Sequence, residues 1–188
     1  MTAPLNKPKV ATVWLDGCSG CHMSFLDLDE RLVTLASLVD IVYSPVVDPK
    51  EFPQHVDLTL VEGAVSSEED FHKANLIRRC SSVVIAFGDC SVTANVPGMR
   101  NTWEPRALLD AAYVEKATSP AEAANRKARI PLKVVPPLRA QAVPLHEVIP
   151  VDVFIPGCPP PADAIWQVLT ELLAGKTPDI CAVTRFGR

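Results

Sequence analysis

Val10-Ala11-Thr12-Val13-Trp14-Leu15-Asp16-Gly17-Cys18-Ser19-Gly20-Cys21-His22 reads as an apolar strand, a tight turn and the start of a helix. Behind it Phe25, Leu28, Leu32 and Leu35 recur at helical spacing, with Asp27, Glu30, Arg31 and Thr34 on the other face. The unit then repeats. Val39–Tyr43 is a second strand, and Leu58-Thr59-Leu60-Val61 a third, ending at Glu62-Gly63. Ser66 with Glu69 forms a capping-box pattern for the next helix, which Arg78 and Arg79 close. Val83-Val84-Ile85-Ala86-Phe87 is apolar without alternation, as expected of a central strand covered on both faces.

Pro105–Val114 reads as a short helix and Val151–Ile155 as the last strand. A final helix carries Ile165, Trp166, Leu169, Leu172 and Leu173 and stops at Gly175 before Pro178. The alternation of strand and helix predicts an α/β domain, a doubly wound parallel sheet of flavodoxin type spanning residues 1–188. Residues 116–150 break the pattern. The chain has 18 prolines, and Pro120, Pro131, Pro136, Pro137, Pro144 and Pro150 fall in this segment. Val134, Val135, Leu138, Val143 and Leu145 make it too apolar for disorder. It is expected to be an irregular belt laid over the domain or over a partner.

The net charge of −4, without a basic run, argues against nucleic acid and anionic membrane surfaces as partners. No stretch reaches the roughly 20 apolar residues of a membrane span. The first residues show no apolar signal region, so a cytoplasmic chain is expected. Six cysteines in that compartment point to metal or redox chemistry rather than disulfides.

Four of them follow strands directly. Cys18 and Cys21 form Cys-x-x-Cys, Cys90 stands in Gly88-Asp89-Cys90, and Cys158 in Pro156-Gly157-Cys158-Pro159-Pro160. Loops after parallel strands emerge on one edge, so three distant segments can bring four thiolates to one place. That donor set suits a 4Fe–4S cluster. Zinc is a rival, although structural zinc usually draws on compact knuckles. A thioredoxin-like dithiol is another, although it leaves Cys90 and Cys158 without a role. Cys80 and Cys181, outside such turns, read as small buried hydrophobes. Glu62 ends a strand on the same edge, as a site carboxylate or a solvated strand end. His22 is placed either to meet a cluster sulfur or to face solvent. His55, His72 and His146 share no ligand spacing.

Gly17–Asp27, Val61-Glu62-Gly63-Ala64-Val65-Ser66, Gly88-Asp89-Cys90 and Val151–Pro160 resemble, in that order, the signature segments of nickel–iron hydrogenase small subunits. Phe25–Arg31, Val61–Glu69 and Pro97-Gly98-Met99-Arg100-Asn101 are most similar to the short, soluble, NAD-reducing type. The resemblance implies that Cys18, Cys21, Cys90 and Cys158 hold the iron of one proximal 4Fe–4S cluster. It implies that Glu62 lies beside the cluster at the boundary with the large subunit, as a candidate proton relay. The nickel–iron centre then belongs to the partner large subunit only. Electrons pass from it through this chain to the iron–sulfur and flavin subunits of a diaphorase that reduces NAD. The run Ser91–Gly98 departs from the Gly-Gly pair of many relatives. The related complex I subunit has two adjacent cysteines at the first motif, whereas this chain has Cys-x-x-Cys. The loop that would cradle FMN phosphate in a flavodoxin is here Asp16–His22, given over to cysteines, so no flavin is expected there. The alternatives are a complex I-like cluster subunit and a stand-alone flavodoxin-like module using zinc or thiol redox.

Overall fold

Five parallel strands build the sheet in a computed structural model that describes residues 7–116 and 130–184. They are β1 (Lys9–Trp14), β2 (Asp40–Tyr43), β3 (Val56–Glu62), β5 (Ser81–Phe87) and β7 (Val153–Ile155), in the order β2-β1-β3-β5-β7. That order, counted along the sheet strands alone, is the flavodoxin winding. Among the described residues no helix is long and apolar enough to cross a membrane.

The period of two along each strand sorts side chains to two faces. Leu58 and Leu60 of β3 and Ile85 and Phe87 of β5 join one core with Phe25, Leu35, Ile165, Val168 and Leu169. The helices on that face are α1 (Gly20–Leu26), α2 (Arg31–Leu38) and α7 (Ala162–Leu173). Val61, Val84 and Ala86 point the other way, into a second core with Ala74 and Ile77 of α3 (Glu68–Cys80) and with Leu145 and Ile149. The central strands are thus covered on both faces, as their unbroken apolar runs require.

Three local features differ from the sequence expectation. The expected continuous helix from Phe25 to Leu35 is interrupted, because residues 27–30 form a turn with Asp29 at φ 51°. Aspartate competes with helical hydrogen bonding and tolerates the left-handed region. Leu28 and Leu35 are nonetheless buried, so the apolar period survives the break. The capping box of α3 lies one residue later than Ser66 and Glu69. The Asp70 N–H donates to Ser67 Oγ at 3.1 Å, and the Ser67 N–H donates to Asp70 Oδ2 at 2.9 Å. Asp70 also accepts from the Ser66 N–H at 3.2 Å, which the longer Glu69 does not do.

The third difference concerns the belt. Residues 117–129 lie outside the described residues, and 130–137 form no regular element. Leu138–Val143, however, is a strand, β6, paired antiparallel with the three-residue β4 (Val65–Ser67). Neither strand is apolar enough to stand out in the sequence. The outer side of β6 is held by a side chain: Asn101 Nδ2 donates to the Ala142 carbonyl, and the Ala142 N–H donates to Asn101 Oδ1, both at 2.8 Å. The segment lies over the domain, with Ala142, Leu145 and Ile149 buried. Pro105–Val114 begins as α6 (Pro105–Asp110) and continues as a π-turn over Ala111–Glu115.

Candidate functional site

A single row of residues across the sheet sets the level of the site. Trp14 of β1 is in register with Glu62 of β3, Glu62 with Phe87 of β5, and Phe87 with Ile155 of β7. Four strands therefore release their loops at the same height. From β1 the chain enters the turn holding Cys18, then α1 with Cys21 in its first turn. From β5 it passes Gly88 into α4 (Asp89–Thr93), which carries Cys90, and from β7 it reaches Gly157 and Cys158. Cys21 and Cys90 are buried; Cys18 and Cys158 are exposed, so the site opens on their side.

Cys18, Cys90 and Cys158 lie near enough to act on the Cys21 thiol. Burial pushes the Cys21 thiol far up, and the charges of Glu62, Cys90, Cys18 and Cys158 push it in the same direction. Cys90 is also raised, by burial above all, against a hydrogen bond with the backbone of Val96 that lowers it. Such thiols stay protonated and unreactive unless a metal displaces their protons. Among the described residues no three His, Cys, Asp or Glu side chains converge closely enough to bind one metal ion directly. The thiols border a common space rather than a single point. Backbone shape makes that space. A β-carbon at Gly88 would stand 2.1 Å from Cys21 Sγ, and its φ of 83° with ψ of 163° is open essentially to glycine alone.

Hydrogen bonds tie the loops together. The Asp89 N–H donates to the Gly157 carbonyl at 2.9 Å, and the Gly157 N–H donates to Asp89 Oδ1 at 2.7 Å. Ser24 Oγ of α1 donates to the Pro160 carbonyl beyond Cys158. The Gly20 N–H approaches Cys18 Sγ at 3.4 Å, and Asn95 Nδ2 approaches Cys158 Sγ at 3.6 Å.

Glu62 is fully buried, not a solvated strand end. Its position in β3 shares the parity of Leu58 and Leu60, which sends it to the face that α1 covers. There its carboxylate accepts the N–H groups of His22 at 3.0 Å and Cys21 at 3.4 Å, satisfying two first-turn donors of α1. The His22 ring neither meets a cysteine sulfur nor faces solvent. It is buried, with Nδ1 on Glu62 and Nε2 3.1 Å from Thr12 Oγ1, and Thr12 Oγ1 donates to Ser44 Oγ at 2.7 Å.

Cys80 ends α3 at the opposite edge of the sheet, where β5 begins, and Cys181 is exposed on the short α8 (Ile180–Val183). Neither acts on Cys21. The other histidines stay apart: His55 pairs with Asp57 at 3.4 Å and His72 with the Glu68 carbonyl at 2.6 Å. Sequence reasoning missed Asp89, Ser24, Thr12 and Asn95. For Asp89 a signal existed, because a carboxylate wedged between a turn glycine and a cysteine is an unusual neighbour for a solvated group.

Residues 18–172 match the family model described as NADH ubiquinone oxidoreductase, 20 Kd subunit. The chain belongs to this family. The matched span begins at Cys18 and contains all four cysteines and Glu62. Within the family, the delta subunit of the NAD-reducing hydrogenase HoxS of Cupriavidus necator is 42% identical over 176 residues, covering 93% of this chain and 83% of that subunit. A vhu subunit of the F420-non-reducing hydrogenase of Methanocaldococcus jannaschii is 39% identical over 173 residues. The match covers 92% of this chain but only 58% of that protein. The crystal structure of an NAD+-reducing NiFe-hydrogenase in the H2-reduced state superposes with a TM-score of 0.88 at 35% identity. It covers 96% of this chain and 99% of the other. The family's members are thus hydrogenase subunits as well as a subunit of NADH:ubiquinone oxidoreductase.

Proposed function

We propose that this chain is the electron-transfer small subunit of a soluble, cytoplasmic, NAD-reducing nickel–iron hydrogenase. Cys18, Cys21, Cys90 and Cys158 hold one proximal 4Fe–4S cluster. The observation that carries the reading is the convergence of these four cysteines, from three loops, above one row of the sheet. The similarity to hydrogenase subunits over nearly the whole chain points the same way.

The donor set fits the group. All four donors are soft thiols, and Gly88 leaves the room that any side chain would fill. Zinc–sulfur bonds of about 2.3 Å would draw four sulfurs to within about 4 Å of each other. Among the described residues no three such donors converge that closely, so the set is not arranged for a single zinc ion. When bound, such a cluster takes up and hands on one electron at a time. The chain contributes the frame: Asp89 and Ser24 lock the Cys158 loop to α4 and α1, and Glu62 fixes the first turn of α1, which carries Cys21. Glu62 also begins a hydrogen-bonded line through His22 and Thr12 to Ser44, which suits the proton-relay role assigned to it.

Hydrogen is split at the nickel–iron centre of a partner large subunit. The electrons leave through this chain towards the iron–sulfur and flavin subunits of a diaphorase. Asp16–His22 is occupied by two of the cysteines, so FMN has no part in this reading. The test is anaerobic purification of the chain co-expressed with a large subunit. Acid-labile sulfide with iron in slight excess, the excess being the iron of the nickel–iron centre, and a broad visible absorbance that bleaches under hydrogen, are the expected results. Zinc in place of iron, or a metal-free protein with a redox-active dithiol, would favour a stand-alone module.

A further inference from the structure

The turn between α4 and α5 (Asn95–Gly98) brings a donor to the site from outside the ligand loops. Asn95 Nδ2 lies 3.6 Å from Cys158 Sγ, on a loop 63 residues away in the chain. The turn is tightly constrained. Ala94 sits in the left-handed region at φ 61°, uncommon for a residue with a β-carbon. Thr93 Oγ1 donates to the Asp89 carbonyl at 2.9 Å and accepts from the Asn95 N–H at 3.4 Å. The backbone of the next residue, Val96, acts on the Cys90 thiol against the burial that raises it. A metal-bound thiolate can only accept a hydrogen bond, so it is the amide NH2 of Asn95 that faces the sulfur.

We propose that Asn95 is a tuning residue: its amide donates to the Cys158 sulfur and raises the reduction potential of the cluster that Cys158 holds. The proposal rests on the reading of the four cysteines as cluster ligands. One-electron reduction puts further negative charge on the thiolate sulfurs. A donor already aimed at one of them is bound more strongly in the reduced state, and reduction is favoured. Hydrogen bonds to the sulfurs are among the factors that set iron–sulfur potentials. Asn95 is exposed in the isolated chain, and any subunit that covers the Cys18–Cys158 side would exclude water and strengthen the effect.

The test uses the co-purified complex and two variants. Asn95→Leu removes the donor at similar volume, and Asn95→Asp puts a negative charge in its place. Both are titrated against potential with dithionite and redox mediators, following the reduced-cluster EPR signal, and iron is counted in each. Expected are full iron content and a more negative midpoint. For Asn95→Leu the reduction equilibrium should shift about tenfold, ~59 mV for one electron, and more for Asn95→Asp. An Fe–S stretching band that moves in the resonance Raman spectrum would locate the change at a cysteine bond. An unchanged midpoint at full iron content would overturn the proposal. Loss of iron in both variants, with retention in Asn95→Gln, would also overturn it and make Asn95 part of the structural frame. A wild-type complex without iron would fail the cluster reading itself, which is a different outcome.

Discussion

Asp89 and Gly157 exchange two hydrogen bonds across the mouth of the site, one from each backbone N–H, at 2.9 and 2.7 Å. Asp89 precedes Cys90 and Gly157 precedes Cys158, so this pair sets the spacing of two sulfurs supplied by strands 68 residues apart. The Asp89 carboxylate is buried, and removing it leaves the Gly157 N–H without a partner.

Asp89→Ala should therefore cost about 1–3 kcal/mol of stability. It should also lower iron content, because the Cys158 loop loses its tether. Asp89→Asn keeps the accepting oxygen and should retain most of the iron. Iron per chain and the midpoint of chemical denaturation decide it. Equal iron in the alanine variant and wild type would show that Ser24 and the strand bonds suffice to hold the loop.

Gly88→Ala is a minimal change that enters the space proposed for the cluster. The new methyl would meet Cys21 Sγ at 2.1 Å, and the backbone would be held where side chains cost ~1–3 kcal/mol. The expected result is a chain that folds but binds little iron, read by circular dichroism together with iron quantitation. Normal iron loading would mean that Cys21 points elsewhere once metal is bound.

Six Cys→Ser variants separate ligands from bystanders. Serine is a poor, hard donor for iron. Changes at Cys18, Cys21, Cys90 or Cys158 should abolish or sharply weaken the cluster, whereas Cys80→Ser and Cys181→Ser should leave it intact. Full iron in the Cys158 variant, or loss in the Cys80 variant, would break the assignment. The fold already divides the six in this way, since Cys80 ends α3 at the far edge of the sheet and Cys181 lies on α8, away from the three cysteine loops.

Two variants of Glu62 separate anchoring from proton transfer. Glu62→Leu removes the acceptor for the Cys21 and His22 N–H groups and should lose iron. Glu62→Gln keeps an acceptor oxygen for α1 but cannot pass a proton as a carboxylate does. It should keep the cluster and slow hydrogen turnover by about 10²-fold, within the range of a lost acid–base group. Undiminished turnover in Glu62→Gln would leave Glu62 as an anchor alone.

The sheet was legible because fully buried parallel strands write continuous apolar runs, as Val83–Phe87 does. The cysteines were legible as a set because all parallel strands end on one edge. What escaped the sequence was set by contacts between distant segments. β6 exists because β4 on one side and the amide of Asn101 on the other satisfy its backbone, and no local pattern announces either. The break at residues 27–30 was hidden because Leu28 and Leu35 remain buried on both sides of it. His22 was ambiguous for a similar reason. Only the β3 parity that points Glu62 towards α1, and the β1 position of Thr12, draw its ring inward.

The open side of the site leads to the expectation that another chain covers it. Segments next to the cysteine loops also carry apolar side chains in water. Met23 of α1 is 57% exposed, Val96 beside Asn95 is 59%, and Met99 is 73%. Trp14, at the end of β1, is half exposed, its indole N–H donating to the Gly17 carbonyl at 3.2 Å. Exposed cysteines in a chain that also exposes methionine, valine and tryptophan on the adjoining segments suit an obligate interface. Expressed alone, the chain should aggregate or lose iron in air within hours; co-expression with a hydrogenase large subunit should rescue both solubility and iron. Size-exclusion chromatography with iron quantitation reads the two effects separately. A monodisperse chain that keeps its cluster for days in air without a partner would show that this surface needs no cover.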